Sequence, residues 1–313
     1  MTLVMRWMSD KSVGRMALLG LLALLVVDVL LVALAFRPDA AGASPTATAA
    51  ASVTTASPTT SAPPALEAAP VKEVVVAVDG ERAWRAALGT CQDGGARLRV
   101  TDDGGSTWTK RAAPARALGR VQPVDADRGF VIGATGSGCT VGEYATDDDA
   151  ATWRGPREVE GGWSRVPGGN AKTVITPKRE DARPCGATTV IDLARVSANR
   201  AVVVCADGRL VRSTDGGSKW TTMATVDGAL AVGAREVDGT PEVHVARVTD
   251  GCEGVEVATV TGGKAARAAC VKTSLDGAEG RVSLSVVDEA GWLAVADTIW
   301  RSDAKLETWR PAA

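Results

Sequence analysis

The sequence of 313 residues predicts an all-β fold: a β-propeller of about five to six four-stranded blades with repeated hairpin turns, preceded by one transmembrane α-helix. Three observations lead to this prediction. One turn motif that ends in tryptophan recurs along the chain. Between its copies, short runs of alternating apolar and polar residues are separated by glycine and aspartate, which indicates strands. A long apolar segment lies near the N-terminus.

The N-terminal segment predicts a signal anchor. Residues 16–36 are largely apolar and are long enough to cross a hydrocarbon core of about 30 Å. Arg6, Lys11 and Arg15 precede them, so we expect residues 1–15 to form a cytoplasmic tail and the rest of the chain to lie outside the cell membrane. A cleavable signal peptide is the alternative, although its apolar region is normally shorter.

Asp28 interrupts the predicted membrane span. An ionisable residue at this depth costs about 2.5–3.5 kcal/mol on insertion scales, which makes it a candidate contact for a partner helix. The alternative is a single acid that a long apolar run tolerates. The Pro-, Ala-, Ser- and Thr-rich residues 37–70 follow, and their composition predicts a disordered tether to a domain at 71–313.

Charge and cysteine content limit the possible partners. The net charge of −2 and the pI near 5.7 indicate no basic surface, so nucleic acid is not an expected partner. All six cysteines lie beyond the tether, which favours disulfides in an oxidising compartment. The chain has no CxxC or Cys/His grouping, so we expect neither a metal nor another cofactor.

The repeated turn is the main evidence for a propeller. Its copies are TDDGGSTW (101–108), TDDDAATW (146–153), STDGGSKW (213–220) and SDAKLETW (302–309). The first two tryptophans are 45 residues apart and the last two 89, which fits a period of one blade, with a degraded copy at 259–266. Five blades account for 71–313, and the surplus at 158–186 is either a long loop or part of a sixth blade. A β-sandwich would not explain the spacing.

The motif residues have a structural explanation. The aspartate can accept hydrogen bonds from its own turn, the glycines admit positive φ, and the tryptophan begins the next strand with a large apolar face. The residues with this expected role are Thr101, Asp103, Gly105, Trp108, Thr146, Asp148, Trp153, Ser213, Asp215, Gly217, Trp220 and Trp309.

This motif resembles the Asp-box, or bacterial neuraminidase repeat, of the form Ser/Thr-x-Asp-x-Gly-x-Thr-Trp. Lys219 and Ala150 depart from it in two copies, and the last copy lacks the placed aspartate. Asp-boxes occur in sialidases, sortilin-like receptors, xyloglucanase-type glycosidases and photosystem II assembly-factor-like propellers. The chain is most similar to this last, non-enzymatic group, as in GFVIGA and GWLAVADTIW. The resemblance implies that the boxes lie on the face opposite the ligand site.

The residues do not favour an enzyme. A sialidase needs a tyrosine nucleophile, and Tyr144, the only tyrosine, leads straight into the second turn. A glycosidase needs two placed carboxylates, and no spacing singles out a pair. His244, the only histidine, is expected on a strand surface. The predicted function is therefore a non-enzymatic binding or assembly module at the bacterial cell envelope. The alternative is a carbohydrate-active propeller, either a lectin or a glycoside hydrolase.

The strand assignment gathers the cysteines on the face opposite the repeated turns. It predicts the pairs Cys91–Cys139, Cys185–Cys205 and Cys252–Cys270. We expect that face to bind an unidentified protein or glycan through the surplus segment, with Trp163, Lys178 and Arg179 as candidate contacts, because an insertion on one blade is where a propeller can carry specificity.

Overall fold

The computed structural model describes residues 66–312, which form six antiparallel sheets arranged as the blades of a β-propeller. In every sheet the hydrogen-bonded order of the strands is their order in the chain, so each blade is a meander. The innermost strands of the blades contact one another around a central channel. The all-β propeller prediction is confirmed, with six blades.

The strands of the first three blades follow in chain order. Blade 1 contains β1 (Glu73–Ala77), β2 (Ala83–Ala87), β3 (Arg97–Thr101) and β4 (Thr109–Arg111). Blade 2 contains β5 (Ala117–Pro123), β6 (Gly129–Thr135), β7 (Thr140–Thr146) and β8 (Arg154–Arg157). Blade 3 contains β9 (Ser164–Arg165), β10 (Val174–Thr176) and β11 (Arg179–Ala182).

The last three blades have four strands each. Blade 4 contains β12 (Val190–Arg195), β13 (Ala201–Cys205), β14 (Arg209–Ser213) and β15 (Thr221–Thr225). Blade 5 contains β16 (Ala229–Val237), β17 (Thr240–Arg247), β18 (Gly254–Thr261) and β19 (Lys264–Lys272). Blade 6 contains β20 (Val282–Val286), β21 (Ala290–Val295), β22 (Thr298–Asp303) and β23 (Trp309–Pro311).

Because each blade is a meander, the links between its consecutive strands alternate between the two ends of the channel. In a four-stranded blade, the links between strands one and two and between strands three and four share one end, which we call the turn face because it carries the repeated turns. The opposite end carries three disulfides and is called the disulfide face. The bonds are Cys91–Cys139, Cys185–Cys205 and Cys252–Cys270, the pairs that the strand assignment predicts.

Blade 3 is formed by the surplus segment, and the prediction of four strands is wrong for it. Its inner strand β9 runs opposite to the other five inner strands. Before β9, Trp163 Nε1–H donates to the carbonyl oxygen of Ala198 in the β12–β13 link, on the turn face (2.9 Å). After β9, the carbonyl oxygen of Pro167 lies 3.5 Å from Sγ of Cys91, on the disulfide face. Because β9 begins at the turn face, three strands are enough to bring the chain to the disulfide face, where β12 begins.

Each of the first three repeated turns is held by its own side chains. In blade 1, Gly105 N–H donates to Thr101 Oγ1 (2.9 Å), and Thr101 Oγ1–H donates to Asp103 Oδ1 (2.8 Å). Thr107 N–H also donates to Asp103 Oδ1 (2.9 Å). The equivalent bonds occur at Thr146, Asp148, Ala150 and Thr152, and at Ser213, Asp215, Gly217 and Lys219.

These hydrogen bonds favour the ionised aspartate. Those from Thr107, and then that from Thr101, lower the pKa of Asp103 to about 2. Bonds from Thr152 have the same effect on Asp148, whose pKa is also lowered to about 2. The turn at 302–309 lacks this carboxylate and is built differently, with Leu306 buried at a φ of 59°.

The turn tryptophans pack at the interfaces between blades. Three of them meet an indole of a neighbouring blade edge-to-face, and the ring centroids are 5.8–6.4 Å apart. The pairs are Trp108–Trp292 between blades 1 and 6, Trp84–Trp153 between blades 1 and 2, and Trp163–Trp220 between blades 3 and 4. Trp163 is 2% exposed, so its prediction as a partner contact is wrong: it is a core residue.

Within residues 66–312, the ring closes between blades 6 and 1 without an exchanged strand. The Val75 and Ala77 N–H groups of β1 donate to the hydroxyl oxygens of Ser283 and Ser285 of β20 (3.1 and 3.0 Å). Trp292 Nε1–H donates to the carbonyl oxygen of Asp79 (2.9 Å). Side chains therefore supply the closing contacts that a shared strand could otherwise provide.

The predicted tail (1–15), the span (16–36) with Asp28, and most of the tether lie outside the described residues. Within 66–312, no helix has the length and apolar character needed to cross a membrane. Residues 66–70, which the sequence assigns to the tether, lie against the propeller: Leu66 and Ala68 pack on the apolar clusters of blades 4 to 6.

His244 is buried rather than on a strand surface, since its side chain is 3% exposed. Its ring packs in blade 5, where Nδ1 lies 3.2 Å from Thr259 Oγ1 and Nε2 lies 3.5 Å from a carboxylate oxygen of Glu242. Burial lowers the pKa of His244 below its ordinary value of 6.5, although Glu242 opposes this effect.

We predict that Thr101→Val lowers the free energy of unfolding by about 1–3 kcal/mol, because it leaves the buried Gly105 N–H without its acceptor. Denaturant unfolding of the full-length protein measures the change. Thr109→Val is the matched control on an exposed position of β4, where a change within about 0.5 kcal/mol is expected. Equal losses in both variants would contradict the role of the turn.

We predict that acid destabilises the protein through His244. Because its folded pKa is lowered, the unfolded chain binds the proton more readily, so stability is fully present above pH 6.5 and falls as the pH drops below that value. The turn aspartates act in a separate window below pH 3.8. A His244→Leu variant should show a flatter stability curve just below pH 6.5. Unchanged pH slopes would refute the assignment.

Candidate functional site

The candidate site is the central channel. The six innermost strands surround a cavity of about 200 Å³, to which every blade contributes. Its wall is formed by both apolar and polar groups, and the polar side chains come from blades 2, 3, 4 and 6. These polar residues are Arg120, Gln122, Ser164, Arg165, Asp192, Arg195, Ser283 and Ser285.

The disulfide-face end of the channel is covered by the segment that leads into β1. Val71 N–H donates to the carbonyl oxygen of Ile191 in blade 4 (3.0 Å), and Lys72 N–H donates to that of Gly280, beside blade 6 (2.6 Å). Blade 4 lies opposite blade 1 in a ring of six, so residues 66–71 cross the channel axis. The resemblance to Asp-box proteins implied a ligand site on this face, but here the chain itself occupies the channel mouth.

Asp192 ties three blades together at the channel wall. Its side chain is 5% exposed and forms an ion pair with Arg165 of blade 3. It also accepts hydrogen bonds from the backbone N–H groups of Leu193 (2.8 Å) and of Val232 in blade 5 (2.9 Å). These partners occupy both carboxylate oxygens, so the role of Asp192 is to hold the blades together.

Arg120 and Arg195 form the cationic part of the cavity. The half-buried Arg120 donates to Gln122 Oε1 (3.0 Å), and its guanidinium lies 4.8 Å from the ring centroid of Phe130. Burial, and after it the charge of Arg195, lowers the pKa of Arg120 to about 10. Among the described residues, neither arginine has a carboxylate at ion-pair distance. The carboxylate of Glu143 opposes this pKa shift without forming an ion pair with Arg120, so the desolvated arginine is still suited to receiving an anion.

The chemistry of the channel follows from these two clusters. Of residues 66–312, Asp192 is the carboxylate that lines the cavity, and its oxygens are already bonded. In the same part of the chain, no three His, Cys, Asp or Glu side chains are grouped to hold a metal ion. The cavity therefore offers cationic donors for binding, whereas glycoside hydrolysis uses a pair of carboxylates.

The other nominated contacts lie away from the channel. Lys178 and Arg179 are exposed at the β10–β11 hairpin, where Lys178 N–H donates to the carbonyl oxygen of Gly216 in a repeated turn (3.2 Å). They are therefore on the turn face, and the expectation that this segment works on the disulfide face is wrong. Arg120 and Arg195 were not predicted as site residues, although Arg120 interrupts the apolar inner strand β5 and Arg195 ends the inner strand β12.

The fold and the site define the class of the protein: a six-bladed β-propeller with a partly cationic central channel. No protein-family model and no curated protein matches the chain. Among solved structures, it is similar to YCF48 bound to D1 peptide, with 16% identity over 78% of this chain and 69% of that chain (TM-score 0.30).

Two further structures illustrate the range of similar folds. One is YCF48 from Cyanidioschyzon merolae, with 17% identity over 77% of this chain and 85% of that chain (TM-score 0.38). The other is a GH74 enzyme from Niastella koreensis, with 14% identity over 78% of this chain and 46% of that chain (TM-score 0.39). At these identities and TM-scores the likeness transfers no function to this chain.

We predict that Asp192→Asn destabilises the protein by about 3–5 kcal/mol, because it leaves Arg165 as a largely buried charge without its partner. Thermal and urea unfolding measure the loss. Asp181→Asn is the control, since Asp181 is 80% exposed in a loose pair with Arg179 and should matter by less than about 1 kcal/mol. An Asp192→Asn protein of normal stability would show that this pair does not hold the blades together.

Proposed function

We propose that the protein is a membrane-anchored, extracytoplasmic binding or assembly module at the bacterial cell envelope. Its ligand is an acidic segment of a partner protein, and one carboxylate of that segment enters the channel at Arg120 and Arg195. The observation that carries this proposal is the pair of channel arginines without a carboxylate partner among the described residues. A bound carboxylate supplies the charge that this site lacks.

The turn face is the proposed side of approach. Residues 66–71 cover the other end, and the two large apolar side chains that are exposed among residues 66–312, Val124 and Val237, belong to turn-face links. They lie on blades 2 and 5, on opposite sides of the ring. A peptide whose acidic residue is flanked by apolar residues would therefore match the arginines of the cavity and the exposed valines at its turn-face end.

The predicted anchor and tether complete this proposal. A span at 16–36 and a flexible segment after it would hold the propeller near the membrane while leaving it free to reorient. This arrangement suits a protein that captures a segment of another envelope protein. The membrane attachment itself is tested by whether the full-length protein stays in the membrane fraction after carbonate washing, and whether deletion of residues 16–36 releases it.

We predict that Arg120→Gln/Arg195→Gln weakens binding of acidic peptides by about tenfold or more, because the charge-assisted hydrogen bonds lost together contribute at least that factor. The probe is an array of acidic peptides, each paired with a copy whose carboxylates are amidated, applied to the full-length protein. Peptides that bind only with free carboxylates are then measured by fluorescence anisotropy.

The matched control for this experiment is Arg212→Gln/Arg310→Gln, which removes the same charge from exposed positions of β14 and β23. It should bind as the unsubstituted protein does. Equal weakening in both double variants would indicate a nonspecific charge effect and refute the channel site. Binding or cleavage of a neutral glycan that depends on the channel residues would instead support the carbohydrate-active alternative.

A further inference from the structure

A second cationic site lies between blades 1 and 6, outside the channel. The outer half of blade 1 and the disulfide-face corner of blade 6 enclose a cavity of about 340 Å³. We call this cavity the basic groove. Its charged residues on the side of blade 1 that faces blade 6 are Glu73, Arg85, Arg97, Arg99 and Lys110, and those of blade 6 are Arg281 and Asp297.

Like charges stand directly opposite one another along the groove wall. Arg85 of β2 pairs in register with Arg99 of β3, and Arg99 pairs in register with Lys110 of β4. Like charges at directly opposed positions of neighbouring strands destabilise a sheet. The same face of β3 also carries Arg97. This row therefore costs folding stability in the absence of a counter-charge.

The acidic residues of the groove leave this charge uncompensated. Glu73 is bonded to Arg85 (2.9 Å) and lies 3.3 Å from Arg281, and Asp297 is bonded to Arg281 (2.5 Å). The remaining three cations are exposed and have no carboxylate at ion-pair distance among residues 66–312. They are Arg97, Arg99 and Lys110.

We propose that the basic groove binds a ligand with two or more phosphate groups. Arg97, Arg99 and Lys110 supply only hydrogen-bond donors. Both carboxylate oxygens of Glu73 are paired with arginines, and Oδ1 of the exposed Asp297 is bonded to Arg281. A phosphate diester or polyphosphate offers acceptors and negative charge, which matches such a lining. A peptide backbone or a neutral glycan also brings N–H or O–H donors, for which Arg97, Arg99 and Lys110 offer no acceptor.

The spacing of the cations fits more than one phosphate. Neighbouring strands are about 4.8 Å apart, and alternate residues of one strand are about 6.6–6.8 Å apart. Arg99 and Lys110 can therefore share one phosphate, while Arg97 reaches the next. Soluble polyphosphate and a phospholipid headgroup with two phosphates, such as that of cardiolipin, both supply this chemistry.

The test measures binding of inorganic tripolyphosphate to the full-length protein in neutral detergent by isothermal titration calorimetry. Arg99→Gln/Lys110→Gln should weaken binding by about tenfold or more, and binding to the unsubstituted protein should weaken as salt is raised. A second arm adds cardiolipin, whose headgroup carries two phosphates, to the micelles. Displacement of tripolyphosphate by the lipid identifies a headgroup site, and its absence identifies a site for soluble phosphate.

The control is Lys172→Gln/Lys264→Gln, which removes two exposed charges from blades 3 and 5 and should bind as the unsubstituted protein does. The channel variant Arg120→Gln/Arg195→Gln should also bind tripolyphosphate normally, so the two proposed sites can fail separately. Equal binding by the groove variant and the control would overturn the proposal. Tighter binding of poly-glutamate than of tripolyphosphate would overturn the choice of phosphate.

Discussion

The contact between indoles of neighbouring blades is the interaction on which the ring depends. In the part of the chain that the structure describes, no strand is shared between blades 6 and 1, so side-chain contacts join these sheets. Edge-to-face aromatic pairs contribute about 0.5–1.5 kcal/mol beyond the area they bury. In three of the blades the carboxylate turn fixes the start of the last strand, and this sets where the indole projects. Local hydrogen bonds within a turn thereby control packing between blades.

The channel follows from the same arrangement. Six inner strands held at fixed distances leave a narrow cavity whose polar residues face one another, and Asp192 uses that proximity to join blades 3, 4 and 5. Arg120 lies in the same wall but has only neutral partners. The charge of Asp192 is compensated within the chain, which indicates a structural role. Among residues 66–312, Arg120 has no such ion pair, and this favours a role in binding.

Net charge describes this protein poorly. The chain carries −2 overall, a value that predicts no basic surface. The fold nevertheless concentrates arginine and lysine at two places, the channel and the basic groove, while many acidic residues are used in turns or in ion pairs. Screening limits the reach of surface charges to about 8–10 Å, so a local cluster can attract an anion whatever the total charge is.

The sequence by itself determined the features that depend on short chain separations. The turns are held by bonds that reach four residues, and their spacing indicated a propeller. The strand order that this implies also led to the three disulfide pairs. Only the tertiary structure decided the reversal of β9, the burial of Trp163 and His244, the covered channel mouth and the meeting of Arg120 with Arg195. These features join residues tens to hundreds of positions apart, and alternation along a strand shows which residues share a face but not what that face meets.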